Sequence, residues 1–170
     1  MFRLRPATPA DAASIALVWG AGWADGHLGN VPPALVDVRT PHWFSQAATE
    51  RIANATVAEI GTGTGTDGAA GVVAGFVVVI DDCVDQVYVA ARHRGSGVAA
   101  ALLDAAEQQV AANGHDQAWL AVVPGNDRAI AFYRRRGWVD QGLFDHAAPG
   151  PDGPIPTQCH RYTKALTGHR

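Results

Sequence analysis

The sequence predicts a mixed α/β fold, one sheet with helices on both faces. Three observations carry this reading. Strand-like segments crowd the first half and then alternate with helical ones, an order that calls for a mixed sheet. The segment GVVAGFVVVI at 71–80 is apolar at both parities, the pattern of a strand covered on both sides. Two later segments, near 97–112 and 126–136, carry helical start and stop signals.

Taken in order, FRLR alternates Phe2 and Leu4 with Arg3 and Arg5, a short strand. TPADAASIALVWGAGW opens a helix, with Thr8 as N-cap, Pro9 at the first position and Asp11 in the first turn. Ile15, Val18 and Trp19 form its apolar stripe. GHLGNVPP breaks that helix, and a second helical region follows between Pro33 and Ala53, divisible at Pro41. ATVAEI is a strand. GTGTGTDGAAG is low in complexity and is expected to be a hairpin loop before the buried strand.

DDCVDQVYVA is a turn and a strand, with Val87 and Val89 on one face and Gln86 and Tyr88 on the other. A helix begins near Gly97, with Val98, Ala101, Leu102 and Ala105 at helical spacing and Asn113–Gly114 as its stop. DQAWLAVV is a strand. GNDRAIAFYRRRG is a short helix capped by Asn126 and ended by Gly137. WVDQGLF is a strand, DHAAPGPDGPIPT a loop rich in proline and glycine, and QCHRYTKAL the last strand. The order is β-α-α-β-β-β-α-β-α-β-β.

A chain of 170 residues favours one domain, residues 1–166, with 167–170 as a tail. A net charge of -3 leaves no electrostatic footprint for nucleic acid or a membrane surface. The N-terminal segment lacks an apolar core for a signal peptide, and no apolar run reaches spanning length. Cys83 and Cys159 stand far apart and outside any CxxC pattern, so neither a disulfide scaffold nor a metal site is expected. A cytoplasmic setting follows from these features.

The loop ARHRGSGVAA, at 91–100, leads from a strand into a helix. The helix start leaves backbone N–H groups free and a partial positive charge. Gly95 and Gly97 let the backbone turn sharply, while Arg92 and Arg94 add charge at the mouth. Together they make a phosphate cradle, against the alternative of a tight turn with surface arginines. No GxxxxGK[ST] pattern is present. Gly95-Ser96-Gly97-Val98-Ala99-Ala100 matches G-x-G-x-x-A, with Asp116 downstream. However, Asp116 would begin its strand rather than end it, and too little chain follows for two mononucleotide-binding halves.

A third ligand is the pyrophosphate of coenzyme A. Arg92-x-x-Gly95-x-Gly97 resembles the Q/R-x-x-G-x-G/A signature of GCN5-related N-acetyltransferases. Val87-Tyr88-Val89 resembles the fourth strand of that family. NDRAIAFYRRRGW resembles its N-x-x-A-x-x-x-Y-x-x-x-G-F/W segment at Asn126, Ala129, Tyr133, Gly137 and Trp138. The likeness is specific over 71–140 and topological elsewhere.

The resemblance implies the acyl-CoA N-acyltransferase fold and direct acetyl transfer from acetyl-CoA to a primary amine, with no metal. It implies that Arg92, Arg94, Gly95, Ser96, Gly97, Val98, Ala99 and Ala100 hold the pyrophosphate. Val87, Tyr88 and Val89 would meet the pantetheine arm, with a freed N–H near Val89 polarising the thioester. Asn126 is either a helix cap or a cofactor contact. Tyr133 is the candidate general acid, against a role as a core aromatic.

Many family members carry a glutamate on the fourth strand where Cys83 stands here, flanked by Asp82 and Asp85. Asp85 shares parity with Val87 and is the first choice as base, and Asp82 the second. A water chain would also serve, and Cys83 as an acetylated nucleophile is a further alternative.

The family binds its acceptor after the first helix and between the last two strands. That points to Trp23, Asp25, His27 and His160, with Asp25 able to attract a cationic amine. His42, His146 and His169 read as loop or surface residues. The acceptor is a small-molecule amine or a peptide amine, and the resemblance leaves room for a homodimer. A non-catalytic acyl-CoA-binding module is the competing function.

Overall fold

The computed structural model describes residues 1–61 and 71–167. Most of the expected hairpin loop (residues 62–70) and the tail residues 168–170 with His169 lie outside the described residues. Among the described residues seven strands form one sheet: β1 Phe2–Pro6, β2 Ala55–Ile60, β3 Val72–Ile80, β4 Cys83–Val89, β5 Gln117–Val122, β6 Val139–Ala148 and β7 Ile155–Ala165. Their order across the sheet is β1-β2-β3-β4-β5-β7-β6, with β4 and β5 parallel and the other pairs antiparallel. Among the described residues the α-helices are α1 Ala12–His27, α2 Pro33–Val38, α3 Pro41–Arg51, α4 Val98–Ala112 and α5 Asp127–Arg135. This is the mixed α/β sheet that the sequence predicts.

Period-2 alternation explains the layering. Along β3, Phe76 and Val78 pack with α1 and α3, whereas Val77 and Val79 pack with α4. The first core gathers Ile15, Trp19, Trp23, Leu35 and Phe44 against one face of the sheet. The second gathers Val98, Leu102, Leu103, Ala106 and Val110 of α4 against the other, joined by partly buried α5 residues.

The helical region after α1 is two helices. Thr40, just before Pro41, is extended, and its Oγ1 accepts from Trp43 N at 3.1 Å to start α3 anew. At the other end of the chain, β6 and β7 run longer than expected. Pairing continues through His146↔Thr157 and Ala148↔Ile155, so the connecting loop is only 149–154. Pro156 is tolerated because it lies past the end of the β5–β7 pairing.

A charged cluster locks the N-terminus. Arg5 pairs with Glu59 across the β1–β2 ladder and with Asp11 at 2.7 Å. Thr8 N donates to Asp11 Oδ2 at 2.8 Å. The Arg5 guanidinium holds the Asp11 carboxyl down to about 2.

Candidate active site

Strands β4 and β5 share a single ladder pair, Cys83↔Trp119, and then diverge. On its other edge β4 stays paired with β3 through Val89. Ala90 N donates to Ala74 O at 2.8 Å. By alternation the polar groups of Tyr88 also face β3, and those of Val87 and Val89 face the gap. The gap therefore presents unpaired backbone donors and acceptors, as an extended ligand requires.

A cleft of about 370 Å³ opens along this gap. One wall is the loop into α4. Gly95 and Gly97 both hold positive φ, +76° and +85°, so their left-handed backbone forms the turn there. Arg94, Gly95, Gly97, Ala99 and Ala100 line the cleft, as do Val87, Tyr88, Val89, Asn126 and Tyr133. Three other residues assigned to the cradle do not line it. Val98 is buried in the α4 core at 1% exposure, and Arg92 and Ser96 are exposed. Arg92 Nε lies 3.0 Å from His93 Nε2, and the Ser96 hydroxyl donates to His93 O.

The facing wall is α5, which adds Arg128 and Arg135 to the cleft. Sequence reasoning passed over both, although they stand seven positions apart, two helical turns, on one face. With Arg94 they ring the cleft with cations, the electrostatics of an anion site. Asn126 is the N-cap of α5, with its Oδ1 accepting from Ala129 N at 3.4 Å.

Helix α1 closes over the site because it carries glycines where it meets it. A Cβ on Gly22 would stand 2.5 Å from Tyr88 Cδ1, and one on Gly26 would stand 2.6 Å from Asn126 Nδ2.

The cleft meets a second cavity of about 210 Å³ at a shared wall made by Val87, Tyr88, Asn126, Ala129 and Tyr133. Burial pushes both phenols well above the usual tyrosine range. Tyr133 is also packed among aromatics, with Trp138 at 6.1 Å and Tyr162 at 6.4 Å between centroids. Tyr133 is thus packed as a core aromatic and also lines the wall between the two cavities, where the general-acid role considered for it would place it.

The two candidate bases part company. Asp85 lines the second cavity and Asp82 lines neither. Strand parity would have put Asp85 beside Val87, facing α4. A bulge in β4, between the pairs Val78↔Gln86 and Val79↔Val84, leaves Asp85 as the extra residue. Its carboxylate accepts from Arg51 Nε of α3 at 3.3 Å. Asp82 accepts from the Trp119 indole N–H at 3.0 Å. The Cys83 thiol is pushed up to about 12 by burial and then by the Asp85 and Asp82 charges, which disfavours a thiolate nucleophile.

The predicted acceptor residues are also divided. Trp23 and His27 line the second cavity, stacked at 4.8 Å, with His27 Nδ1 3.0 Å from Trp23 O. Burial brings the His27 pKa down to about 4. Asp25 lies elsewhere, paired with Arg94 at 2.7 Å on the loop into α4. His160 pairs with Asp140 at 3.0 Å and does not line the cavity. In their place stand Arg39, Trp43, Arg51 and His146. His146 arrives because β6 continues through the expected loop.

Comparison with known proteins agrees with this architecture. A family model described as the acetyltransferase (GNAT) family matches residues 38–138. No curated protein matches the chain. Solved structures do. Ard1 from Thermoplasma volcanium is 20% identical over 98% of both chains, with a TM-score of 0.66. YncA from Salmonella typhimurium, solved with its cofactor acetyl-CoA, is 18% identical over 100% of this chain and 96% of its own, with a TM-score of 0.68. PaiA N-acetyltransferase from Thermoplasma acidophilum, in complex with coenzyme A, is 14% identical over 97% and 99%, with a TM-score of 0.66. With a family model over more than half its length and this shared fold, the chain belongs to the GNAT family of acetyltransferases.

Proposed function

We propose that the protein transfers the acetyl group of acetyl-CoA to the amine of an acceptor by direct attack. The observation that carries this reading is the junction of the two cavities: a cation-ringed cleft and a second cavity share one wall, at Val87 and Tyr133. Acetyl-CoA bound to a fold neighbour supports the choice of donor.

In this reading the pyrophosphate rests on the backbone from Arg94 to Gly97, with Arg128 and Arg135 contributing charge. The pantetheine arm lies along β4 as an added strand and pairs with Val87 and Val89. The Val89 N–H polarises the thioester carbonyl. The acceptor amine attacks the carbonyl carbon from the second cavity, a C–N bond forms, and the C–S bond breaks. The amine loses one proton, to Asp85 directly or through water, and the departing thiolate receives one from the Tyr133 phenol. Burial raises the phenol pKa, so Tyr133 reaches this step protonated. It recovers its proton through the solvent-connected cavity.

Thiol release from acetyl-CoA across a panel of amines tests the assignment. Release should depend on the amine, and Tyr133→Phe should lower kcat about 100-fold or more. Binding of acetyl-CoA without amine-dependent thiol release would instead identify an acyl-CoA-binding module.

A further inference from the structure

Two arginines line the second cavity, and their situations differ. Arg51 has a carboxylate partner in Asp85, at 3.3 Å, and a second in the exposed Glu50, at 3.9 Å, outside the cavity wall. Arg39 has none among the described residues. Its guanidinium carbon lies 3.7 Å from the centre of the Trp43 ring, and its Nη1 donates to the Pro149 carbonyl at 2.7 Å. These contacts aim the guanidinium but do not neutralise it. Burial, and then the charge of Arg51, bring its pKa down to about 10, which leaves it charged at neutral pH.

The other titratable walls do not alter the balance. His27 is held neutral, and burial moves His146 in the same direction. Arg39, Arg51 and Asp85 thus leave the cavity with one uncompensated positive charge. A simple cationic amine would meet repulsion there. An amine that brings its own anion would not, and a planar carboxylate matches the guanidinium fork. Trp19, Trp23 and Leu35 give one side of the wall an apolar surface, and Gln86, Asn126 and Thr157 add neutral polar groups that bring no charge. At about 210 Å³ the cavity is below the common range of roughly 300–1,000 Å³ for ligand pockets, which favours a single small molecule over a peptide.

We infer that the acceptor is a small amine bearing its own carboxylate, an amino-acid-like molecule. Its carboxylate pairs with Arg39 and its amine is directed at the junction between Val87 and Tyr133. This rests on the acetyl-transfer reading above and names the substrate class of that site. It replaces the expectation that Asp25 attracts a cationic amine, because Asp25 is engaged on the cofactor loop.

The test is thiol release with free L-amino acids, each compared with its amide and its decarboxylated amine. The free acids should be preferred by about 10- to 100-fold in kcat/KM, the range of one charge-assisted hydrogen-bonded pair. Arg39→Gln should raise KM for the acids by a similar factor and erase their advantage over the amides, while acetyl-CoA affinity in calorimetry stays unchanged. Arg39→Lys should restore part of the preference. If Arg39→Gln does not fold, the wild-type comparison of acid with amide decides alone. Equal or better use of the amides and amines would overturn the inference and leave acetyl transfer standing. A preference for the acids that survives in Arg39→Gln would also overturn it. No turnover of any member of the panel, with acetyl-CoA still bound, would overturn both this inference and the transfer reading.

Discussion

Arg94 Nη2 and Asp25 Oδ2 stand 2.7 Å apart, joining the loop that opens α4 to the last turn of α1. The pair is half exposed, so its worth to stability is small, about 0–1 kcal/mol. Its electrostatic effect on an anion in the cleft is of similar size. A unit negative charge some 6 Å from a phosphate in a water-like medium costs about 0.7 kcal/mol. Asp25→Asn should therefore tighten CoA binding about threefold, and Arg94→Ala should weaken it. Calorimetry with CoA checks both. KM for the acceptor should not move in Asp25→Asn, since the carboxylate is outside the second cavity.

Gly22 sets how closely α1 approaches β4. A methyl group there would meet the Tyr88 ring at 2.5 Å, so the ring or the helix must shift. Alanine gains about 1 kcal/mol of helix propensity but incurs about 1–3 kcal/mol of overpacking. Gly22→Ala should lower Tm by a few degrees and reduce kcat/KM, because Tyr88 belongs to the wall between the two cavities. Thermal unfolding and steady-state kinetics measure the two effects separately. A variant with native Tm and native kcat/KM would mean that α1 adjusts without disturbing the site.

Local chemistry was legible in the sequence where one residue type has one dominant use. Gly97 before α4 and Asn126 before α5 stand at the helix starts the sequence predicts, because left-handed turns and N-caps are decided within a few residues. The cleft was legible for the same reason. The second cavity was not, for two physical reasons. The bulge in β4 adds one residue on one strand only, and that single offset carries Asp85 to the opposite face from the one its parity predicts. The extension of β6 depends on pairing with β7 across a loop rich in proline and glycine, where local propensity argues against strands. Arg39, Arg51 and His146 reach one cavity from α2's end, α3 and β6, a convergence that no spacing along the chain encodes.

Tyr162 lies fully buried at 0% exposure on β7, and its hydroxyl has no hydrogen-bond partner among the described residues. Desolvating a hydroxyl without a partner costs about 1–3 kcal/mol. Removing it leaves the ring in place against Tyr133 and the α4 core. Tyr162→Phe should be neutral or raise stability by about 1 kcal/mol, measured by denaturant unfolding. A loss of more than about 1 kcal/mol would mean that a buried water satisfies the hydroxyl.

Acid should weaken the fold at two distinct points. The His27 pKa lies near 4 in the folded protein, below its usual value of 6.5, chiefly because burial disfavours the imidazolium. The unfolded chain therefore binds the proton first. The contribution is fully present above pH 6.5 and is lost as pH falls from there towards 4. Asp11, held down to about 2 by Arg5, adds a second loss between about pH 4 and 2. The His27 part is on the order of 2 kcal/mol and the Asp11 part about 1 kcal/mol after solvent screening. Urea unfolding as a function of pH should show stability declining from about pH 6.5 downward. In His27→Gln the upper segment should become shallower, with the remainder belonging to His146, whose pKa burial also lowers, while the decline below pH 4 persists. In Asp11→Asn the lower segment should flatten instead. A His27→Gln profile with the wild-type slope between pH 6.5 and 4 would assign that slope to another group.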